Sequence, residues 1–245
     1  MTQRTSDHQL QSGPRRVDGA FHPKRSFRFR PIADIRSMRR LTWQSVLGVP
    51  LSESLRQFLI SLTKQDLETR QRLAADLSLF NGYHPEMQAV HEENAAILDQ
   101  VVQERGWPTS AMVGEDGAEA AWLIVQHAIG LPEFQRRCFK LLNEAAASGS
   151  IPAWQPAHLL DRILTYEGKR QVYGTSFDWD EAGLMSPRPI ADPASVDERR
   201  AAVGLPPLAE ATARHRLQSE HQPNPKAYSE RQREMDDWAK SIGWR

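Results

Sequence analysis

The chain has 245 residues, 40% hydrophobic and 25% charged, with Lys+Arg and Asp+Glu balanced at 31 each. That length and apolar share suit one globular domain of ordinary size with irregular flanks. The single cysteine, Cys138, excludes an internal disulfide, no apolar run approaches the roughly 20 residues of a membrane span, and no leader-like start is visible, so a cytoplasmic location is expected.

The balanced net charge hides an asymmetry. Residues 1–40 hold ten Lys or Arg against three acids, which makes the N-terminal arm, to about residue 45, basic and the rest of the chain mildly acidic. Within the arm, KRSFRFRP at Lys24–Pro31 alternates Phe27 and Phe29 with arginines, a pattern that can grip phosphates and stack on bases. Short basic motifs are weak evidence, and a disordered, solvated arm rich in Arg, Ser, Gly and Pro is the better expectation, so nucleic acid is not favoured as a partner.

Residues 46–208 read as a helical core domain. From Leu51 to Phe80 the spacing of Leu55, Phe58, Leu59 and Leu62 predicts a helix. Leu67, Leu73, Leu77 and Phe80 continue the apolar pattern beyond a polar patch, Lys64–Asp66, and Asn81-Gly82 is a good stop. The next helix has Pro85 in its first turn and Gly106 just past its end. Its stripe of Met87, Val90, Leu98 and Val101, extended by steps of three and four, lands on Asn94, with His91 at the edge. Asn94 is thus expected to face inward, tying two helices or lining a pocket.

After Gly106-Trp107-Pro108-Thr109 comes AEAAWLIVQHA, Ala118–Ala128, apolar on nearly every side and hence enclosed by neighbours. It carries Gln126 and His127 into the interior. A core histidine can be a neutral imidazole bonded to a carbonyl, or it can be a proton carrier, the role that an unperturbed imidazole suits near neutral pH. Leu131-Pro132 opens a helix with Phe134, Cys138, Leu141 and Ala145 in register, Gln135 and Phe139 off the stripe, and Gly149 as its stop. Cys138 reads as packing.

A helix from about Pro156 to Glu167 packs Leu159, Leu160, Ile163 and Leu164 and leaves His158, Asp161, Arg162 and Thr165 on a solvated face. His158 with Asp161 lacks the further ligands a zinc site needs, so no metal and no other cofactor is expected. Then β-branched and aromatic residues at Arg170–Phe177, and a second extended stretch at Met185–Ile190, predict a small β-hairpin turning around Asp180–Gly183. Gln171, Tyr173 and Thr175 would form a polar row on its first strand, and Gly174 would admit a bulge or a close ligand. In the C-terminal tail, 209–245, Met235, Trp238 and Ile242 stand at helical spacing in Tyr228–Trp244, ready to dock a protein partner or the chain's own body.

GWPT at 106–109, AWLIVQHA at 121–128, Asp161-Arg162, GxxQxYGT at 168–175, PRPI at 187–190 and VDERRAAVGLPPL at 196–208 together resemble the bacterial family DUF 6624, a domain of unknown function, over roughly residues 50–208. Ile129 and Ser176 stand where that family often has an acid and a Gln. The resemblance implies no activity, but it gathers Gln126, His127, Asp161, Arg162, Gln171 and Tyr173 within its motifs and so favours a pocket. The expected protein is mainly α-helical with one small hairpin. It would be an enzyme doing cofactor-independent, hydrolase-like acid/base chemistry on a small polar or anionic molecule. His127 would transfer the proton, Asp161 would orient it or Arg162, Arg162 would bind the anion, and Gln126, Gln171, Tyr173 and Asn94 would position the substrate. The alternative is a non-catalytic accessory protein acting through its tails, in which Asp161 and Arg162 form an ion pair and the polar motif residues are a structural network.

Overall fold

In a computed structural model of the chain, residues 51–80, 82–219 and 227–245 are described here. The basic arm and Asn81 lie outside them. Contacts divide the chain at 44/45, and the fold below belongs to the second unit.

Five helices build the body: α1 (Leu51–Ala75), α2 (Pro85–Arg105), α3 (Ser110–His127), α4 (Pro132–Ala147) and α5 (Trp154–Tyr166). α1 packs along α3 and also against α2, while α4 pairs with α5. Leu59, Leu98, Ile124, Val125, Leu142 and Leu159 fill the centre. No helix among the described residues is long and apolar enough to cross a membrane.

The local reasons for these elements are those the residue types dictate. His84 caps α2 by accepting the Glu86 N–H, Pro85 sits in the first turn, and Gly106 ends the helix at φ 79°. In α3, Gly114 at φ 71° kinks the first turn, and a side chain there would press on Arg56 and Asp116. Those two form a bidentate pair, with both N···O distances 2.6 Å, that joins α1 to α3.

Two apolar stripes run differently from expectation. α1 buries Leu55, Leu59, Leu62, Asp66 and Leu73 and leaves Leu67 about half exposed, as are Leu77 and Phe80 beyond its end; strict steps of three and four from Leu62 reach Asp66, not Leu67. On α4, Gln135 is fully buried and Leu142 replaces Leu141, because Gln135 Nε2 donates to the Val125 carbonyl in the last turn of α3 at 2.7 Å. That bond satisfies a helix-end acceptor in the core.

The hairpin is smaller and later than the sequence suggests. Its strands are β1 (Phe177–Trp179) and β2 (Met185–Pro187), antiparallel, with Asp178 opposite Ser186. Residues 171–176 form an irregular loop joined to the chain after β2 by a bridge from Gln171 to Ile190. They do not extend the ladder because side chains capture their N–H groups: Asp161 takes those of Val172, Tyr173 and Thr175, and Gln171 takes that of Ser176. Gly174 sits in this loop at φ 67°, where an added Cβ would lie 2.8 Å from Ile190 Cδ1 and 2.9 Å from Leu208 Cδ1. The close approach is to the chain's own packing, not to a ligand. Gly174→Ala is expected to lower unfolding stability by about 1–3 kcal/mol, read from the urea midpoint at unchanged slope.

A clamp closes the far side of the loop. From α6 (Val196–Ala202), Arg199 donates to the carbonyls of Val172, Ala191 and Asp192, and buried Arg200 donates to those of Tyr173, Gly174 and Pro206. α7 (Leu208–Ser219) follows and packs on β2. The last helix, α8 (Tyr228–Ser241), covers the body: Ala239 and Trp244 join the core, with Trp238 and Ile242 packed against it. Trp244 Nε1 donates to Ile129 O, and Arg136 lies over the Trp244 ring. The helical spacing at Trp238 and Ile242 serves the chain's own core.

Candidate functional site

Three helices each deliver one side chain to a single buried cluster. α1 supplies Asp66, α2 supplies His91 and the end of α3 supplies His127. Asp66 Oδ2 lies 2.8 Å from His127 Nδ1 and 3.5 Å from His91 Nε2. The Tyr83 hydroxyl lies 2.8 Å from His91 Nδ1, and the two imidazole centroids are 5.1 Å apart. Asp66 is 1% exposed, whereas the His127 side chain is 23% exposed. The aspartate is therefore a sealed base to the cluster and His127 its exit.

Charge in this cluster is set by competition. Burial alone would raise the Asp66 pKa, but the His127 and His91 imidazoles outweigh it and hold the carboxyl well below the usual carboxylate range. Asp66 is thus a buried anion facing two imidazoles. Burial pushes the Tyr83 phenol well above its ordinary value, so Tyr83 keeps its proton. Two cluster atoms, Asp66 Oδ1 and His91 Nε2, are buried without a hydrogen bond.

Neighbouring groups fix the frame. Asn94, one turn beyond His91 on α2, donates to Leu62 O at 3.2 Å, tying α2 to α1 one turn before Asp66. An aromatic wall continues from Tyr83 to Trp238 on α8, then to Tyr166 and Trp244. A groove of about 470 Å³ opens elsewhere, by Ser52, Arg56, Met112 and Asp116, and no cluster residue lines it.

Of the residues expected to act together, the structure gathers some and separates others. His127 is in the cluster. Gln126 is buried, and its Oε1 accepts from Arg162 Nε at 3.0 Å while its Nε2 has no partner. Arg162 is half-buried and, among the described residues, has no carboxylate within ion-pair distance, so the Asp161–Arg162 pair does not form. Asp161 orients neither His127 nor Arg162. It is fully buried, and its carboxylate accepts three loop N–H groups and the Thr175 hydroxyl. The solvated face expected for it is wrong because the 171–176 loop folds over that side of α5.

Gln171 has the same fate. Its side chain is spent on Ser176 N–H and on the carbonyls of Ser176 and Arg188, leaving nothing to offer a substrate. Tyr173 is held by its backbone, between Asp161 and Arg200. Asn94 is the inter-helix tie, with its amide already engaged.

The residues missed are Asp66 and Tyr83, with His91 noticed only at the edge of a stripe. The signal for Asp66 was present: the stripe of Leu55, Leu59 and Leu62 advances four residues onto it.

A model of a family of unknown function, DUF6624, matches residues 53–218, more than half of the chain. The chain belongs to this family. The DUF6624 span contains Asp66, Tyr83, His91 and His127 together with the Asp161 loop and its arginine clamp, while Trp238 and Trp244 lie beyond it. No curated protein and no solved structure matches the chain.

On α5, His158 shows what the arginines near it do. Burial first, then the like charges of Arg162 and Arg200, push its pKa down to about 4. The unfolded chain binds this proton near pH 6.5 and the folded protein only near 4. Stability is therefore intact above pH 6.5 and falls as the pH drops between these values, by on the order of 2–3 kcal/mol for this group. His158→Gln should flatten that part of the pH–stability curve relative to the unaltered protein, as measured by urea unfolding.

Proposed function

We propose that the protein is an enzyme performing hydrolase-like proton transfer on a small polar or anionic molecule, centred on Asp66 and His127. The observation that carries this reading is the 2.8 Å contact between a sealed, ionised carboxylate and Nδ1 of a partly exposed imidazole. A carboxylate at Nδ1 fixes the ring and stabilises the imidazolium formed when Nε2 takes a proton. Asp66 thereby takes over the orienting role that the sequence suggested for Asp161. Arg162, tied through Nε to the residue preceding His127, is the candidate anion holder.

The accessory-protein reading has less support, since the apolar face of α8 is spent on the chain's own core. A thermal-shift screen of the full chain against phosphate- and carboxylate-bearing metabolites separates the two. A ligand at about a hundred times its Kd should raise the wild-type melting temperature by roughly 5–10 °C and leave folded Arg162→Ala unmoved. If no compound does so, and Arg162→Ala and His127→Gln merely melt earlier, the polar residues are scaffold and the enzyme reading falls.

A further inference from the structure

An Asp–His pair accounts for only part of this cluster. It needs neither the second imidazole, whose Nε2 stands 3.5 Å from the same Asp66 oxygen without a hydrogen bond, nor the buried and unpartnered Asp66 Oδ1. Without a further partner both atoms stay unsatisfied in the interior, where buried polar groups are ordinarily paired. One donor atom from each of Asp66, His91 and His127 lies within 4.8 Å of the other two.

We propose that Asp66, His91 and His127 bind one divalent transition-metal ion of the zinc type. Metal–nitrogen and metal–oxygen bonds of about 2.0–2.2 Å place neighbouring ligand atoms roughly 3–3.5 Å apart. The separations of 2.8 and 3.5 Å fall near that range, and all three donor atoms lie within 4.8 Å of one another. Two imidazoles select a borderline ion over calcium or magnesium, which take oxygen shells. Three protein ligands on a tetrahedral ion leave one position open, as reacting sites do and structural sites do not. The outer contacts fit the same purpose: Tyr83 holds His91 Nδ1 so that Nε2 faces Asp66, and Asn94 locks α2 to α1 one turn away from the two ligands they carry.

This inference rests on the cluster being the reacting centre and deepens that reading. With an ion in place His127 would hold it through Nδ1, and the fourth position would be free for water or for a polar atom of the substrate.

The test is metal content and titration of the full chain. Chelated protein should take up one equivalent of Zn²⁺ by calorimetry, and Co²⁺ should give the visible absorption of a low-coordinate nitrogen–oxygen site. Asp66→Asn and His91→Gln should abolish stoichiometric uptake, Tyr83→Phe should weaken it by about ten- to a hundredfold, and His158→Gln should leave it unchanged. Should the ligand variants fail to fold, Tyr83→Phe and the wild-type Co²⁺ spectrum still decide. Absence of stoichiometric uptake by folded wild type, or uptake equal in folded Asp66→Asn, overturns the site. Turnover that persists undiminished in fully chelated protein overturns it too while leaving proton transfer at His127 standing, whereas tight uptake with no turnover of any substrate supports the metal site and counts against the enzyme reading.

Discussion

Asp161→Ala is expected to cost about 3–5 kcal/mol of unfolding free energy, among the largest effects of any single replacement in this chain. The carboxylate is fully buried and accepts N–H groups from Val172, Tyr173 and Thr175 as well as the Thr175 hydroxyl. Hydrogen bonds to a charged acceptor contribute about 1.5–3 kcal/mol each but are not additive. Removing the acceptor leaves three loop donors competing for nothing, so the loop must open to water and withdraw the carbonyls that Arg199 and Arg200 hold. Asp161→Asn is not a rescue. Oδ1 accepts from Val172 and Tyr173, and Oδ2 from Tyr173 and Thr175, so either orientation of the amide turns its NH₂ toward at least two donors. Chemical unfolding of the three proteins checks this; a loss below about 1 kcal/mol for alanine would return Asp161 to the list of residues kept for chemistry.

How much of this was legible depends on the range over which each feature is decided. The bounds of α2 and α4 could be read from Pro85, Gly106, Pro132 and Gly149 because caps and breakers act within a turn. The inward direction of Asn94 followed from counting along its own helix, and the same count on α1 reaches Asp66; the polar triplet Lys64–Asp66 instead reads as an interruption when its charge is weighed before its position. The loop at 171–176 was not legible. Its Val, Tyr and Thr favour a strand, and what prevents one is a carboxylate ten residues upstream on another element. The local text of Gln171, Tyr173 and Asp161 advertised polar chemistry, whereas these groups spend their polarity on backbone. For the site, His127 was readable as a polar residue at the end of an enclosed helix, but its partners come from two other helices and no spacing within one segment reports them. The C-terminal stripe was visible; that it covers the chain's own Tyr83 and Tyr166 is a tertiary fact.

The same change of Asp to Asn at position 66 should act on chemistry first. In a reaction found for the wild type, Asp66→Asn is expected to lower kcat by about 10³–10⁴, the scale of losing the orienting carboxylate of an Asp–His pair, with KM within a few-fold. The amide has nearly the shape of the carboxylate, so the pocket persists, but it lacks the charge that stabilises an imidazolium at His127 or balances a cation held between the rings. In the first case the interaction lost is one that strengthens as the proton moves, and in the second the variant loses the ion itself, so in both the effect falls on kcat. Some stability goes as well, because the folded protein favours the ionised form of this group; turnover is therefore compared at a temperature where circular dichroism shows both proteins folded. Tyr83→Phe, which removes only the hydroxyl that fixes His91, should cost about ten- to a hundredfold. That ordering follows from the geometry: Asp66 touches both imidazoles, and Tyr83 touches one from outside. Folded Asp66→Asn retaining more than a tenth of wild-type kcat would make the cluster a structural tie among α1, α2 and α3, and the site of any reaction would have to be sought around Arg162 instead.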